Sequence, residues 1–217
     1  MHFRFLAFGA LVLAASIGSA QLYSQLPDPN GEGGAFSDSG QTIADNFTTS
    51  TSAPVTHITF WGSFFGAGNP FPGGGSRNVS VSFMNDDGFG LPGSVIGQET
   101  GAASFVPTGL LTNFGGAPDT VYQFDIDWTG PAFSPTAGTQ YWLSIFDTES
   151  TDSFRWHNGL TGDDRTSVSF DGGTTWGPDL SRPNAAFVLN PVPVPEPASM
   201  AALGMGALAL LRRRRKG

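Results

Sequence analysis

Several pairs of carboxylates in this sequence stand where they could bind a hard metal ion. Asp86 and Asp87 belong to an Asn-Asp-Asp-Gly turn signal, and Asp163 and Asp164 form a second adjacent pair. Carboxylate oxygens in loops are the ligands that Ca²⁺ prefers, but neither pair has the spacing of an EF-hand loop. Two interpretations stay open, namely solvated turn residues and a structural calcium site at these four aspartates. We expect no other cofactor.

Histidine is scarce, which limits the acid and base chemistry that the chain could perform. Beyond the N-terminal segment only His57 and His157 remain, and neither lies in an H-E-x-x-H or G-x-S-x-G motif. On a strand, Arg155 and His157 would share the face opposite Phe154 and Trp156, which predicts a polar surface pair. A hydrolase would need a pocket that gathers two carboxylates with His57 or His157. The sequence therefore predicts no enzyme.

The tryptophans suggest a different chemistry, because an exposed indole ring can stack on the face of a sugar. The five are Trp61, Trp128, Trp142, Trp156 and Trp176. In a domain without disulfides, aromatic side chains on strands more often belong to the core. Trp142 is predicted to face away from Tyr141, Leu143 and Ile145, so it lies either on a second packing surface or in solvent.

Residues 169–176 have the sequence Ser-Phe-Asp-Gly-Gly-Thr-Thr-Trp, which fits the pattern S-x-D-x-G-x-T-W. This pattern resembles the Asp-box of sialidase-like propellers, in which the Asp and Gly shape a tight hairpin and the Trp packs beneath it. One copy cannot build a propeller, which needs repeated blades. We therefore expect a structural hairpin here.

Charge and composition exclude several classes of function. The net charge is −8, but six of the ten basic residues lie before residue 21 or after residue 195. Residues 21–195 keep four Arg against seventeen acidic residues, a net charge of about −13. Residues 21–195 contain no lysine that could neutralise phosphates, so nucleic acid is excluded as a partner. The absence of cysteine excludes disulfides and thiolate chemistry, so the core alone must hold the domain.

Period-two alternation recurs between residues 21 and 190, without sustained helical periodicity. In one such segment, Val79, Val81 and Phe83 share a face of the predicted strand. Further strands are predicted over residues 55–61, 122–126, 141–145, 154–156, 165–170 and 185–189. Glycine-rich turns separate them. Eight to ten short strands predict an all-β fold over residues 21–190, an antiparallel β-sandwich of the jelly-roll type.

The N-terminal segment predicts a secretory signal peptide over residues 1–20. His2 and Arg4 make its start weakly basic, an apolar run follows, and small residues precede a cut between Ala20 and Gln21. The apolar run is short and polar residues follow at once, which disfavours an uncleaved anchor. We expect a signal helix that is removed on export.

The C-terminal segment, residues 191–217, combines three parts with different properties. A proline-rich spacer containing Pro195, Glu196 and Pro197 favours an extended chain that an enzyme can grip. Residues 198–211 are uncharged, and as a helix they would span about 21 Å of a bilayer core that is about 30 Å thick. This short hydrophobic helix is marginal as a permanent span. The basic tail, residues 212–216, marks the cytoplasmic side and includes Arg212, Arg213, Arg214 and Arg215.

This order of triplet, apolar run and arginine block resembles the PEP-CTERM sorting signal of Gram-negative bacteria that make exopolysaccharide. In that family an exosortase, a membrane-embedded cysteine transpeptidase, recognises the triplet and processes the protein near it. The resemblance implies a protein that is exported, held transiently in the inner membrane, and then delivered to the cell surface or the extracellular space. A plain C-terminal membrane anchor is the alternative, which the short apolar run disfavours.

A second resemblance covers most of residues 21–190 and concerns a recurrent, uncharacterised exported domain that often precedes such tails. The segments that carry it are residues 44–47, 58–62, 90–93, 138–145 and 171–176. It implies a β-sandwich and no known activity.

These features predict an exported, non-enzymatic protein of the cell envelope or matrix, associated with exopolysaccharide or biofilm. Exosortase is the expected partner, and exopolysaccharide is a further one. The alternative is a Ca²⁺-dependent carbohydrate-binding module, and a glycoside hydrolase is a third hypothesis.

Overall fold

The computed structural model describes residues 21–30, 33–38, 40–65, 67–113, 118–149, 153–179 and 183–190. They all lie within one compact unit, Ala20–Val192. The predicted signal peptide and the C-terminal segment 191–217, with its triplet, apolar run and arginines, lie outside the described residues. Among the residues that are described, none belongs to a helix long and apolar enough to span a bilayer.

The described residues form twelve β-strands, and the prediction of an all-β fold is confirmed. The strands are β1 (Tyr23–Gln25), β2 (Gly34–Phe36), β3 (Thr42–Thr48), β4 (His57–Phe64), β5 (Gly75–Asp86), β6 (Pro92–Asn113), β7 (Pro118–Asp127), β8 (Gln140–Asp147), β9 (Phe154–His157), β10 (Thr166–Ser169), β11 (Gly177–Asp179) and β12 (Phe187–Leu189). Their pairings are antiparallel, as predicted.

The strands pair into one sheet that curls back on itself. Their order is β1-β12-β4-β7-β6-β5-β8-β3-β10-β11, and β9 pairs with both β4 and β2. Phe47 on β3 packs against Phe187 on β12 with ring centroids 5.9 Å apart, although these strands are distant in that order. Tyr23 on β1 stacks on the same Phe187 ring at 4.8 Å. The two ends of the sheet therefore enclose one core in a sandwich-like arrangement.

One face of each central strand builds the core, as the alternation predicts. Val79, Val81 and Phe83 on β5 are buried. On β7 and β8, the residues that alternation assigns to the core face are buried as well. Aromatic rings dominate the interior. Phe60 and Phe124 lie directly opposite each other on β4 and β7 and stack at 4.8 Å between centroids. Such pairs contribute about 0.5–1.5 kcal/mol beyond the burial of their area.

The prediction that Arg155 and His157 form a polar surface pair is wrong, since both side chains are buried. They lie on β9, which pairs with β2 and β4 outside the main strand order. All four residues of β9 are buried, so both of its faces are covered. The guanidinium of Arg155 lies 4.1 Å from the ring centroid of Phe36 and 3.9 Å from that of Phe65. Burial lowers the pKa of His157, whose Nδ1 lies 2.9 Å from the carbonyl oxygen of Asn158.

Candidate functional site

The outer face of the sheet, which points away from the core, carries a row of uncharged, mostly polar residues in register. Across neighbouring strands the row runs through Gln98, Ser82, Ser144, Ala44 and Ser167. Side chains directly opposite each other on one face lie about 5 Å apart at Cβ. The row therefore forms a continuous, uncharged strip across β6, β5, β8, β3 and β10.

Larger side chains flank this strip on both sides. On one side Ser80 pairs with Phe146, and on the other Met84 pairs with Trp142. Trp142 is fully buried on the outer face and packs with Ala44 and Met84. The sequence left open whether Trp142 lies on a second packing surface or in solvent, and the structure shows that it lies on a second packing surface.

The hairpin predicted from the Asp-box pattern is confirmed, because β10 pairs antiparallel with β11. The Thr175 hydroxyl donates to Asp171 Oδ2 at 2.6 Å, and the backbone N–H groups of Thr174 and Thr175 donate to Asp171 Oδ1 at 3.0 and 2.9 Å. With the Thr175 hydroxyl first among them, these hydrogen bonds lower the pKa of Asp171 to about 2. Gly172 and Gly173 have φ values of 73° and 86°, which glycine adopts without strain.

The hairpin places Trp176 over the outer face. Trp176 is half-buried and packs against the cluster that contains Trp142, while its ring lies next to Gly173. Between this wall and the polar strip lies a groove of about 220 Å³, which we call the neutral groove. Its lining includes Thr42, Ser80, Ser82, Gln98, Ser144 and Phe146, and none of the described residues that line it is ionisable.

Two buried polar atoms near the β10 side of the neutral groove lack a hydrogen-bond partner within the described part of the chain. They are Nε1 of Trp176 and Oγ of Ser167. Buried polar groups are normally paired, and leaving one unpaired costs about 1–3 kcal/mol. Among the described residues, the Trp176 N–H is therefore an unpaired donor within the wall of the groove, with almost no surface accessible to a ligand.

A second groove lies on the outer face where β4 and β7 pair. His57 on β4 lies directly opposite Asp127 on β7. Asp125 lies opposite Thr59, which is two positions after His57 on β4. Its Nδ1 is 2.7 Å from Asp127 Oδ1, and its Nε2 is 3.3 Å from Asp125 Oδ1. We call this space of about 520 Å³ the acidic groove; its lining also includes Glu99 and Ser76.

The surroundings of the histidine in the acidic groove favour its cationic form. The hydrogen bond with Asp125 has the largest effect and raises the pKa of His57, with Asp127 adding to it and burial opposing it. Burial alone would raise the pKa of Asp125, but hydrogen bonds with His57, Thr59 and Gln123 lower it on balance. The cation of His57 therefore offsets only part of the negative charge of this groove.

The acidic groove gathers two carboxylates with His57, which is the arrangement that the hydrolase hypothesis requires. A general base needs a free lone pair, however, and both ring nitrogens of His57 face carboxylates. Asp125 also accepts hydrogen bonds from Thr59 Oγ1 at 2.7 Å and Gln123 Nε2 at 3.0 Å. The geometry is that of an internally satisfied ion-pair cluster.

A family model described as a domain of unknown function, DUF7901, matches residues 21–195. The chain belongs to this family. A second model, the PEP-CTERM protein-sorting motif, matches residues 193–216, so the resemblance of the C-terminal segment to that signal is confirmed. No curated protein and no solved structure matches the chain.

The sorting motif implies that the DUF7901 protein is exported and processed by an exosortase while it is anchored in the membrane. The processing partner predicted from the resemblance is thus supported. The roles of Pro195, Glu196 and Pro197, the arginine block and the cut between Ala20 and Gln21 stay predictions.

Asp86 and Asp87 build the turn that follows β5 in the DUF7901 domain. Asp86 Oδ1 accepts from the backbone N–H of Gly88 at 2.8 Å, and Asp87 Oδ1 accepts from that of Phe89 at 2.7 Å. Asp86 Oδ2 also accepts from Trp142 Nε1 at 3.1 Å. These contacts agree with the interpretation as turn residues.

Asp163 and Asp164 lie in the loop before β10. Asp163 Oδ2 accepts from Asn46 Nδ2 at 2.9 Å, and Asp164 has a φ of 57°, which aspartate tolerates better than most residues. Within the described ranges, no three His, Asp or Glu side chains are placed to share a metal ion. The calcium site stays a prediction to which the structure adds no further ligand.

Sequence reasoning did not find either groove. A signal for the neutral groove was present, because Ser80, Ser82 and Ser144 are uncharged residues at outward positions of predicted strands in a very acidic chain. For the acidic groove, Asp125 and Asp127 were expected on one strand face. Nothing local indicated that His57, 70 positions before Asp127, lies opposite them.

Proposed function

We propose that the DUF7901 domain is a structural, non-enzymatic component of the cell envelope or extracellular matrix that associates with exopolysaccharide. The observation that carries the proposal is the sorting motif at residues 193–216, which follows the domain matched over residues 21–195. A protein exported through such a tail exposes its folded domain to the polymers that surround the cell.

The ionisable groups of the acidic groove support a non-enzymatic role. Glycoside hydrolysis requires a carboxylic acid whose pKa is raised, so that it can donate a proton at neutral pH. The pKa of Asp125 is lowered instead, and the pKa of His57 is raised by the two carboxylates beside it. His157, the other histidine of the domain, is buried.

Processing is tested by following the C-terminus of the protein in its host. Glu196→Ala changes the centre of the triplet, and Pro191→Ala changes the same spacer outside the triplet and is the matched control. We expect the wild type and P191A to lose the basic tail and leave the membrane fraction, whereas E196A keeps residues 212–216 and stays there. Intact mass spectrometry of each fraction measures this. A wild-type protein that keeps its arginines at the cell surface would show that the tail is only an anchor.

Association with exopolysaccharide is tested by fractionating the matrix of a producing strain. We expect the protein to move from the matrix to the medium when exopolysaccharide synthesis is deleted, and an unchanged distribution would contradict the association. Incubation of the purified protein with the same polysaccharide should release no reducing ends. Steady release would contradict the non-enzymatic role.

A further inference from the structure

We propose that the neutral groove is a binding site for a neutral polysaccharide, held by ring stacking at its aromatic ends and by hydrogen bonds to its serine floor. This assignment rests on the proposed association with exopolysaccharide and places it on one surface of the DUF7901 domain. Three properties of the groove carry it: its lack of charge, its hydroxyl groups and its aromatic walls.

The neutral groove is uncharged in a strongly charged protein. Residues 21–195 have a net charge of about −13, and two of their four arginines, Arg77 and Arg155, are buried. Whereas the acidic groove is lined by His57, Asp125 and Asp127, the described lining of the neutral groove contains no ionisable side chain. The domain as a whole repels an anionic polymer but not a neutral one. The negative charge of the domain therefore selects a neutral polysaccharide over an anionic one.

The floor of the groove carries side chains that can both donate and accept hydrogen bonds. Each hydroxyl of Ser80, Ser82 and Ser144 can donate one hydrogen bond and accept two, and the Gln98 amide adds both kinds of group at the rim. Gln98 Nε2 donates to Ser80 Oγ at 3.2 Å, which holds the amide beside the floor. The hydroxyls of a sugar have the same dual character, so direct hydrogen bonds can replace the water that they lose.

Aromatic side chains stand at the ends of the floor. Phe146 and Trp176 both line the groove and are only half-buried, so part of each ring faces the space where a ligand would lie. An aromatic ring in that position can stack on the apolar face of a sugar ring. The Trp176 N–H is buried, so the hydrogen bonds to a sugar come from the serine floor and from Gln98. The groove thus combines stacking with hydrogen bonding.

Affinity electrophoresis of the protein purified from its host tests the site. The gels contain the host's own exopolysaccharide, dextran, mannan or xylan as neutral probes, or alginate as the anionic probe. We expect retardation by the host polymer and by at least one neutral probe, and none by alginate. Retardation by alginate equal to that by the neutral probes would overturn the selection by charge.

Three variants connect the binding to the groove. Ser82→Glu places a negative charge at the centre of the floor and should abolish retardation. Gln98→Ala removes one hydrogen-bonding group at an exposed rim position and should weaken the affinity about fivefold. Ser76→Ala lies on β5 and faces the same side as Ser82 but lines the acidic groove, so it is the matched control and should bind like the wild type. Thermal unfolding checks the fold, and Q98A keeps the test valid if S82E does not fold.

The outcomes separate this assignment from the proposed function. If the wild type is retarded but Q98A and folded S82E are retarded equally, the groove is not the site and the association with exopolysaccharide stands. If no polysaccharide, the host's own included, retards the wild type, the association itself fails and this site fails with it.

Discussion

The two grooves lie side by side on the outer face of one sheet but differ in how their polar groups are satisfied. Gln98 lines the neutral groove, and Thr100, two positions further along β6, lines the acidic one. In the acidic groove His57 pairs with Asp125 and Asp127, so the polar groups are directed at one another. In the neutral groove, the described lining side chains carry hydroxyl and amide groups but no charge. An ion-pair cluster stabilises a fold, whereas uncharged hydroxyl groups that line an open groove can hydrogen-bond a ligand.

The largest effect on stability is expected in the cluster of Ala44, Met84 and Trp142, against which Trp176 packs beside the neutral groove. Trp142 is fully buried against Ala44 and Met84, so Trp142→Ala should lower the free energy of unfolding by about 3–5 kcal/mol. Urea denaturation of the purified protein measures this value. Trp176→Ala truncates a half-buried ring on the same cluster and is the matched control with a smaller expected loss. Equal losses in the two variants would contradict the assignment of Trp142 as the more deeply packed ring of this cluster.

A smaller loss is expected in the acidic groove. Asp125→Ala would leave His57, Thr59 and Gln123 without their shared acceptor, so the free energy of unfolding should fall by about 1–3 kcal/mol. The matched control is Asp127→Ala, because the side chain of Asp127 is 83% exposed and its pairing is worth less than about 1 kcal/mol. Chemical denaturation separates the two variants. A greater loss for Asp127→Ala would contradict the assignment of Asp125 as the centre of the cluster.

The ionisable groups of the acidic groove should make the stability of the domain depend on pH. Because the pKa of His57 is raised in the folded state, its contribution is complete below the ordinary histidine value of about 6.5 and is lost as the pH rises through the raised pKa. The lowered pKa of Asp125 acts in the opposite direction, and its contribution is lost as the pH falls through that value. Melting temperatures of the wild type should therefore decline above about pH 6.5 more steeply than those of His57→Gln. Parallel curves would contradict the raised pKa of His57.

The smallest effect is expected at the hairpin that forms the wall of the neutral groove. The pKa of Asp171 is lowered to about 2, so its contribution is present above the ordinary aspartate value of about 3.9 and is lost as the pH falls towards 2. We expect the Trp176 fluorescence to change over that interval in the wild type and to stay flat in Asp171→Asn. A fluorescence change centred near pH 4 would show that the hairpin does not hold Asp171 ionised.

Most strands could be predicted from alternation, but the longest, β6, could not. Pro92–Asn113 contains four glycines and Pro107, which weaken local strand preference. Pairing with β5 on one side and β7 on the other supplies its hydrogen bonds, and the irregularity between Pro107 and Leu111 accommodates the proline. The tertiary context therefore overrides propensity in this strand.

The tryptophans show the same limit at the level of side chains. Four of the five, all except Trp176, are buried, which agrees with the expectation that strand aromatics belong to the core. Alternation placed Trp142 on the face opposite the core but could not show that Met84 and Ala44 cover it there. That packing requires β8 to lie between β5 and β3.

The sequence by itself determined the properties that depend on short segments of the chain. The sorting motif lies within one linear segment, and alternation assigns each strand residue to a face whatever its neighbours are. Only the tertiary structure decided which of those residues share a groove. Ser82 meets Ser144 because β5 pairs with β8, and His57 meets Asp127 because β4 pairs with β7. Such pairings join distant segments, and the packing of the whole aromatic core selects them where no local pattern can.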